Sequence, residues 1–95
     1  MKIIGTGRSH PSLVVTNEML SQILDTSDEW ITTRTGIKER RIISSENLED
    51  LAIDAAKKAL ADANMEAKDL DYIICANVVN EFISPAMSCL IQGAI

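Results

Sequence analysis

The 95-residue sequence predicts a layered α/β architecture, and two features carry that reading. From Leu48 to Ala63 apolar residues recur at steps of three and four, the mark of a long amphipathic helix. The run Tyr72 to Val79 that follows is apolar almost without interruption, as expected of a central strand buried on both faces between helices.

Taken in order, Lys2 to Thr6 reads as a short strand broken by Gly5 and Gly7, and Arg8 to Ser12, with His10 and Pro11, as a turn. A dinucleotide fingerprint does not develop, because position 10, where a third glycine is wanted, holds His10 and then Pro11. Thr16 and Asn17 precede Met19, Leu20, Ile23 and Leu24 at helical spacing, and either can cap a short helix. Thr26-Ser27-Asp28-Glu29 has the pattern of a capping box, with Thr26 as the cap of a second helix over Ser27–Arg34. Gly36 stands where a left-handed terminator is needed. Within that helix Trp30 and Arg34, four residues apart, share a face. Ile37 to Ile43 suits an exposed strand, and Ser44-Ser45-Glu46 is a polar break. The helix Leu48–Ala63 presents a seam of Ala52, Ala55, Ala59 and Ala63 that permits close approach to a sheet, and Asn64 is a plausible left-handed end. Pro85 suits the first turn of a last helix whose apolar face is Met87, Leu90, Ile91 and Ala94. With no further strand to cover Tyr72–Val79, residues 1–95 read as an incomplete portion of one domain without an internal boundary.

The composition, 46% hydrophobic and 24% charged with a net charge of -5, is that of a globular chain. No apolar run approaches the roughly 18 residues of a membrane span, and the opening residues lack the apolar core of a secretory signal, so the chain reads as cytoplasmic. Cys75 and Cys89 lack the density and spacing of a disulfide framework, and His10 is the sole imidazole, which argues against a metal site. Charge is uneven: residues 1–41 sum to +1 and residues 42–95 to -6. Arg34, Lys38, Arg40 and Arg41, with Glu39, form a local +3 segment that can hold a phosphorylated ligand or simply line a solvated strand. The overall negative charge and three aromatic residues disfavour nucleic-acid binding.

The run Asp25-Thr26-Ser27-Asp28-Glu29-Trp30-Ile31-Thr32-Thr33-Arg34-Thr35-Gly36-Ile37-Lys38-Glu39-Arg40 closely resembles the signature of β-ketoacyl-acyl-carrier-protein synthase III, the initiating condensing enzyme of bacterial type II fatty-acid synthesis. The likeness extends from Lys2-Ile3-Ile4-Gly5-Thr6-Gly7 through Thr16-Asn17 and Ala55-Ala56 to Pro85-Ala86-Met87-Ser88-Cys89-Leu90-Ile91-Gln92. It implies the N-terminal part of the layered thiolase fold, incomplete on its own. It also implies that Thr26, Trp30 and Arg34 bind coenzyme A. An indole can stack on adenine, a guanidinium can pair with phosphate, and a threonine hydroxyl can bond an adenine nitrogen. Trp30 as a core anchor and Arg34 as a surface cation are the plain alternatives. Arg40 and Arg41 can likewise meet an acidic carrier protein or line a solvated strand.

The family's reaction takes an acyl group from acyl-CoA onto a cysteine thiolate. Malonyl-acyl-carrier protein then loses carbon dioxide and its carbanion attacks the thioester. No permanently bound cofactor is implied; acyl-CoA is a substrate, malonyl-acyl-carrier protein a partner, and the full-length enzyme a homodimer. The family's nucleophilic cysteine, histidine and asparagine are expected beyond Ile95, which leaves no catalytic residue in this chain. Cys89 lacks the glycine that follows the family nucleophile, Cys75 falls within the apolar run, and His10 sits in an early turn. Glu81-Phe82-Ile83-Ser84 departs from the usual family residues in a loop tied to the acyl pocket, so the primer is not legible. Two other classes fit the residues: a non-catalytic CoA- or nucleotide-binding module, and a self-associating structural fragment whose strand edges pair with another copy.

Overall fold

The computed structural model describes residues 1–78 and 85–95, and these form β1 (Leu13–Thr16), α1 (Asn17–Ser21), α2 (Asp28–Thr35), β2 (Glu39–Ile42), α3 (Leu48–Ala63) and α4 (Met87–Ala94). A single 3-10 turn, Ala67–Asp69, follows α3. Two units emerge: one is His10–Glu46, and the other joins Met1–Ser9 to Asn47–Ile95.

In the unit His10–Glu46, β1 and β2 pair antiparallel with Leu13 opposite Ile42, Val14 opposite Arg41, Val15 opposite Arg40 and Thr16 opposite Glu39. β2 falls within the strand expected over Ile37–Ile43, whereas β1 occupies residues between the Arg8–Ser12 turn and the helix start for which the sequence predicts no element. Four residues give too short an alternation to register as a strand, although Val14 and Val15 are β-branched. Thr16 ends β1 and caps α1, its hydroxyl accepting from the Met19 amide at 3.2 Å. Asn17, the other candidate cap, is the first residue of α1 and is buried. The cap of α2 is Ser27 rather than Thr26: Ser27 is extended (φ -144°, ψ 159°) and its hydroxyl accepts from the Trp30 amide at 3.1 Å. The Thr26 amide is already turned back onto the Leu24 carbonyl at 2.9 Å, which places Thr26 one residue ahead of the cap. Gly36 closes α2 as expected, with φ 72° and its amide donating to the Thr32 carbonyl at 2.9 Å.

Glu46 ties the ends of this unit together. One carboxylate oxygen accepts from the Ser12 amide at 2.8 Å and the other from the Ser44 amide at 3.3 Å. Hydrogen bonds from the Ser12 hydroxyl and amide, then from the amides of Glu46 itself and Ser44, hold its carboxyl down to about 2 from an ordinary 4.5.

The second unit is built on α3. Asn47 caps it by accepting from the Asp50 amide at 2.8 Å, and Asn64 ends it in the left-handed conformation at φ 54°. α4 packs against α3 and contributes the buried Met87 and Ile91. Pro85 stands ahead of α4 rather than in its first turn, because Ala86 is still extended (ψ 152°) and serves as the cap. Lys2–Thr6 is not a strand among the described residues. This segment runs against α3, with the Thr6 amide donating to an Asp62 carboxylate oxygen at 2.9 Å. The alanine seam is what it approaches. A Cβ on Gly5 would lie 2.7 Å from the Ala63 Cβ, and one on Gly7 would collide with the backbone of Ala55 and Ala59.

Tyr72 to Val78 forms no strand among the described residues, and Tyr72, Ile74 and Val78 are 86%, 90% and 100% exposed. An apolar pattern selects residues able to fill a central strand, but a strand also needs neighbours for its amides and carbonyls, and no described segment pairs here. Val79 and the Glu81–Ser84 segment lie outside the described residues.

Two measurements check these contacts. Gly7→Ala is expected to lower stability by ~1–3 kcal/mol in chemical denaturation, the cost of forcing a methyl into backbone, whereas an unchanged midpoint contradicts the close approach. For Glu46 the folded carboxyl lies below its unfolded value, so its contribution is full above about 4.5 and fades as pH falls toward about 2. The protection of the Ser12 and Ser44 amides relative to their intrinsic exchange should therefore fall across that window, and Glu46→Gln should abolish this fall.

Candidate functional site

α2 presents its aromatic and cationic side chains outward because its inward contacts are polar. Trp30 is 52% exposed, and the Arg34 guanidinium carbon lies 4.3 Å from the centre of the indole ring, a cation–π contact one helical turn long. The i, i+4 spacing read from the sequence thus becomes a physical pair. Thr26 precedes the helix by two residues, and its hydroxyl oxygen is buried without a hydrogen-bond partner among the described residues. A buried hydroxyl left in that state costs stability, so it is an acceptor and donor available to a group able to reach it.

Behind this face lies a polar anchor that local sequence pattern did not reveal. Asn17 is 1% exposed. Its Nδ2 donates to Asp28 Oδ1 at 2.8 Å, to the Ile37 carbonyl at 2.7 Å and, more weakly, to Thr32 Oγ1 at 3.4 Å. Its Oδ1 accepts from the Arg40 guanidinium at 2.6 Å, and its amide donates to the Lys38 carbonyl at 3.1 Å. Thr32 Oγ1 donates in turn to Asp28 Oδ1 at 3.1 Å. The Asn17 and Thr32 hydrogen bonds, with a smaller electrostatic contribution from Lys38, hold the Asp28 carboxyl below its ordinary range. Asp28 in the first turn also complements the helix dipole.

The basic segment is therefore split by role. Arg40 is half-buried and donates to Asn17 and to the Val15 carbonyl at 3.2 Å. Arg41 is exposed and reaches the Pro11 carbonyl at 3.3 Å, while Lys38 is exposed between α2 and β2. Neither half of the fork between ligand and solvated strand fits all four cations: Arg34 faces the indole, and Arg40 braces the unit.

Both cysteines are free thiols; Cys75 is half-buried and Cys89 is exposed in the first turn of α4. Cys89 borders an open cleft with Ser88, Gln92, Lys68 and Asp71, and no histidine lines it. His10 is exposed, with Nδ1 3.3 Å from the Pro11 carbonyl. Among the described residues no cluster of three or more His, Cys, Asp or Glu is placed to hold a metal ion, and no helix is long and apolar enough to cross a membrane.

The whole chain is 50% identical to β-ketoacyl-acyl-carrier-protein synthase III of Clostridium botulinum, of which it covers 29%. It also superimposes on the crystal structure of 3-oxoacyl-acyl-carrier-protein synthase III from Aquifex aeolicus with a TM-score of 0.91 and 52% identity, over 97% of this chain and 30% of that one. The chain corresponds to a segment of the β-ketoacyl-acyl-carrier-protein synthase III family. A priming β-ketosynthase of a polyketide biosynthetic pathway has the same fold at 29% identity, with a TM-score of 0.89 over 97% of this chain and 28% of that one. No protein-family model matches the sequence. The chain spans about 29% of the length of the curated relatives it matches. Its helices and small sheet are part of the α/β thiolase fold of the synthase III structures.

Trp30 is the sole tryptophan of this segment, so it reports directly on its partner. Arg34→Met should change Trp30 emission and cost about 0.5–1 kcal/mol, as expected of an exposed cation–π pair. Spectra of the two proteins that overlay would show that the guanidinium does not rest on the indole in solution.

Proposed function

We propose that the chain supplies the coenzyme A-binding part of a condensing enzyme that joins acyl-CoA to malonyl-acyl-carrier protein, giving β-ketoacyl-acyl-carrier protein and carbon dioxide. The observation that carries this reading is the half-exposed Trp30 paired with Arg34 on α2, inside a chain 50% identical to a synthase III. Adenine stacks on the indole face left open by Arg34, and the guanidinium, one turn along the helix, pairs with phosphate oxygens. Thr26, two residues before α2, gives its hydroxyl to the base, which accounts for a buried oxygen with no partner among the described residues.

In this reading the acyl group passes from the thioester sulfur of CoA to a cysteine thiolate, and the CoA thiolate leaves. Loss of carbon dioxide from the malonyl group then generates the carbanion that displaces the cysteine. The cysteine, histidine and asparagine of that chemistry belong to family sequence outside these 95 residues, and Cys89 takes no part. The reaction needs no permanently bound cofactor, and the working enzyme is a cytoplasmic homodimer. Residues 1–95 act as a portion of one thiolase-like domain.

A second reading, self-association, is favoured by one observation: Tyr72, Ile74 and Val78 are strongly exposed apolar residues. Concentration-dependent sedimentation of this chain distinguishes it from a monomeric CoA binder.

The test of the main reading is calorimetric titration of the intact enzyme with coenzyme A. Trp30→Ala and Arg34→Ala are each expected to weaken binding by roughly tenfold or more, a loss of about 1.4 kcal/mol or more. Equal affinity in both variants overturns the assignment. Incubation with acyl-CoA followed by tryptic mass spectrometry should leave Cys89 unacylated, and an acyl group on Cys89 would place the nucleophile within this chain.

A further inference from the structure

We propose that Asn17 is a positioning residue for the coenzyme A site: its buried carboxamide, bonded to Asp28, Thr32 and Ile37 on one side and Arg40 on the other, sets the angle at which α2 offers Trp30 and Arg34 to the ligand. This rests on the CoA reading above. A carboxamide has two donor hydrogens and an acceptor oxygen, and here all are engaged. Its partners bracket the ligand face in sequence. Asp28 lies in the first turn of α2, Thr32 in the middle, and Ile37 just past the left-handed Gly36, so the helix is held at both ends by one side chain.

The packing of α2 offers little else to fix it. α2 has no buried residue, and its neighbour α1 is only five residues long. Such a helix is located by polar contacts that have one solution, and a fully satisfied buried network is strongly directional. Stacking and bidentate phosphate contacts tolerate small misplacement poorly, so a tilt of α2 is felt at the ligand before it is felt in the fold. Asparagine fits this place by chemistry. Aspartate has the same shape but no donors, and would set a second carboxylate against Asp28. The Arg40 guanidinium, already bonded to Val15, fixes the acceptor side of the amide to β1 and β2.

The experiment uses steady-state kinetics of the intact enzyme, with acyl-CoA varied. Asn17→Asp is expected to raise KM for acyl-CoA by about tenfold while kcat stays within about twofold, the signature of lost uniform binding rather than lost chemistry. Adding Asp28→Asn restores a donor facing an acceptor with their polarity exchanged, and should recover most of the lost affinity. Thr32→Val, which removes one hydroxyl, guards against an Asn17→Asp protein that does not fold, and should raise KM by roughly two- to fivefold. An unchanged KM in folded Asn17→Asp, or in Thr32→Val where the first does not fold, overturns the proposal. So does a joint fall of kcat and kcat/KM that the second substitution fails to repair. Trp30→Ala separates the two ideas: if it raises KM and Asn17→Asp does not, the positioning role alone fails. If Trp30→Ala leaves KM unchanged, the CoA reading fails and the positioning role falls with it.

Discussion

One buried amide constrains the unit His10–Glu46. Asn17 sits where strand passes into helix, and the groups it bonds come from α2, from the segment after α2 and from β2. Removing it would leave Asp28, the Ile37 carbonyl and the Arg40 guanidinium short of partners in a place where Asn17 itself is only 1% exposed. These bonds are directional, so the network fixes geometry as well as adding stability. The hydrophobic contribution in this unit is small by comparison, since Leu13, Ile23, Leu24 and Ile42 are all exposed.

The other unit obeys a different logic. There the glycines of the first segment meet the alanines of α3 at backbone distance, and Met87 and Ile91 of α4 supply the buried apolar surface. Contacts of this kind depend on the absence of side-chain atoms and allow little substitution. A single sequence thus holds one unit by directional bonds and the other by close packing.

What was legible in the sequence follows from how local each signal is. Periodicity over 16 residues gave α3, and Asn64 and Gly36 were recognisable terminators because left-handed backbone favours those residue types. The Trp30–Arg34 pair was legible because helix geometry alone makes residues four apart neighbours. The cap of α2 was misplaced by one residue, since Thr26 and Ser27 both carry hydroxyls and the choice turns on the Thr26–Leu24 turn. β1 was too short to show alternation. The apolar run from Tyr72 failed for the opposite reason: its composition announced a buried strand, and pairing is a property of other segments. Asn17 looked like a cap because caps are local, whereas its partners lie 11 to 23 positions away.

The clip between Ser12 and Glu46 means that the chain leaves on its excursion and returns to the same point 34 positions later. A loop whose two ends are pinned together can be exchanged, lengthened or trimmed with little disturbance to the polypeptide outside it, because the entropic cost of closure changes slowly with length. The segment that presents Trp30 and Arg34 is in that sense a cassette.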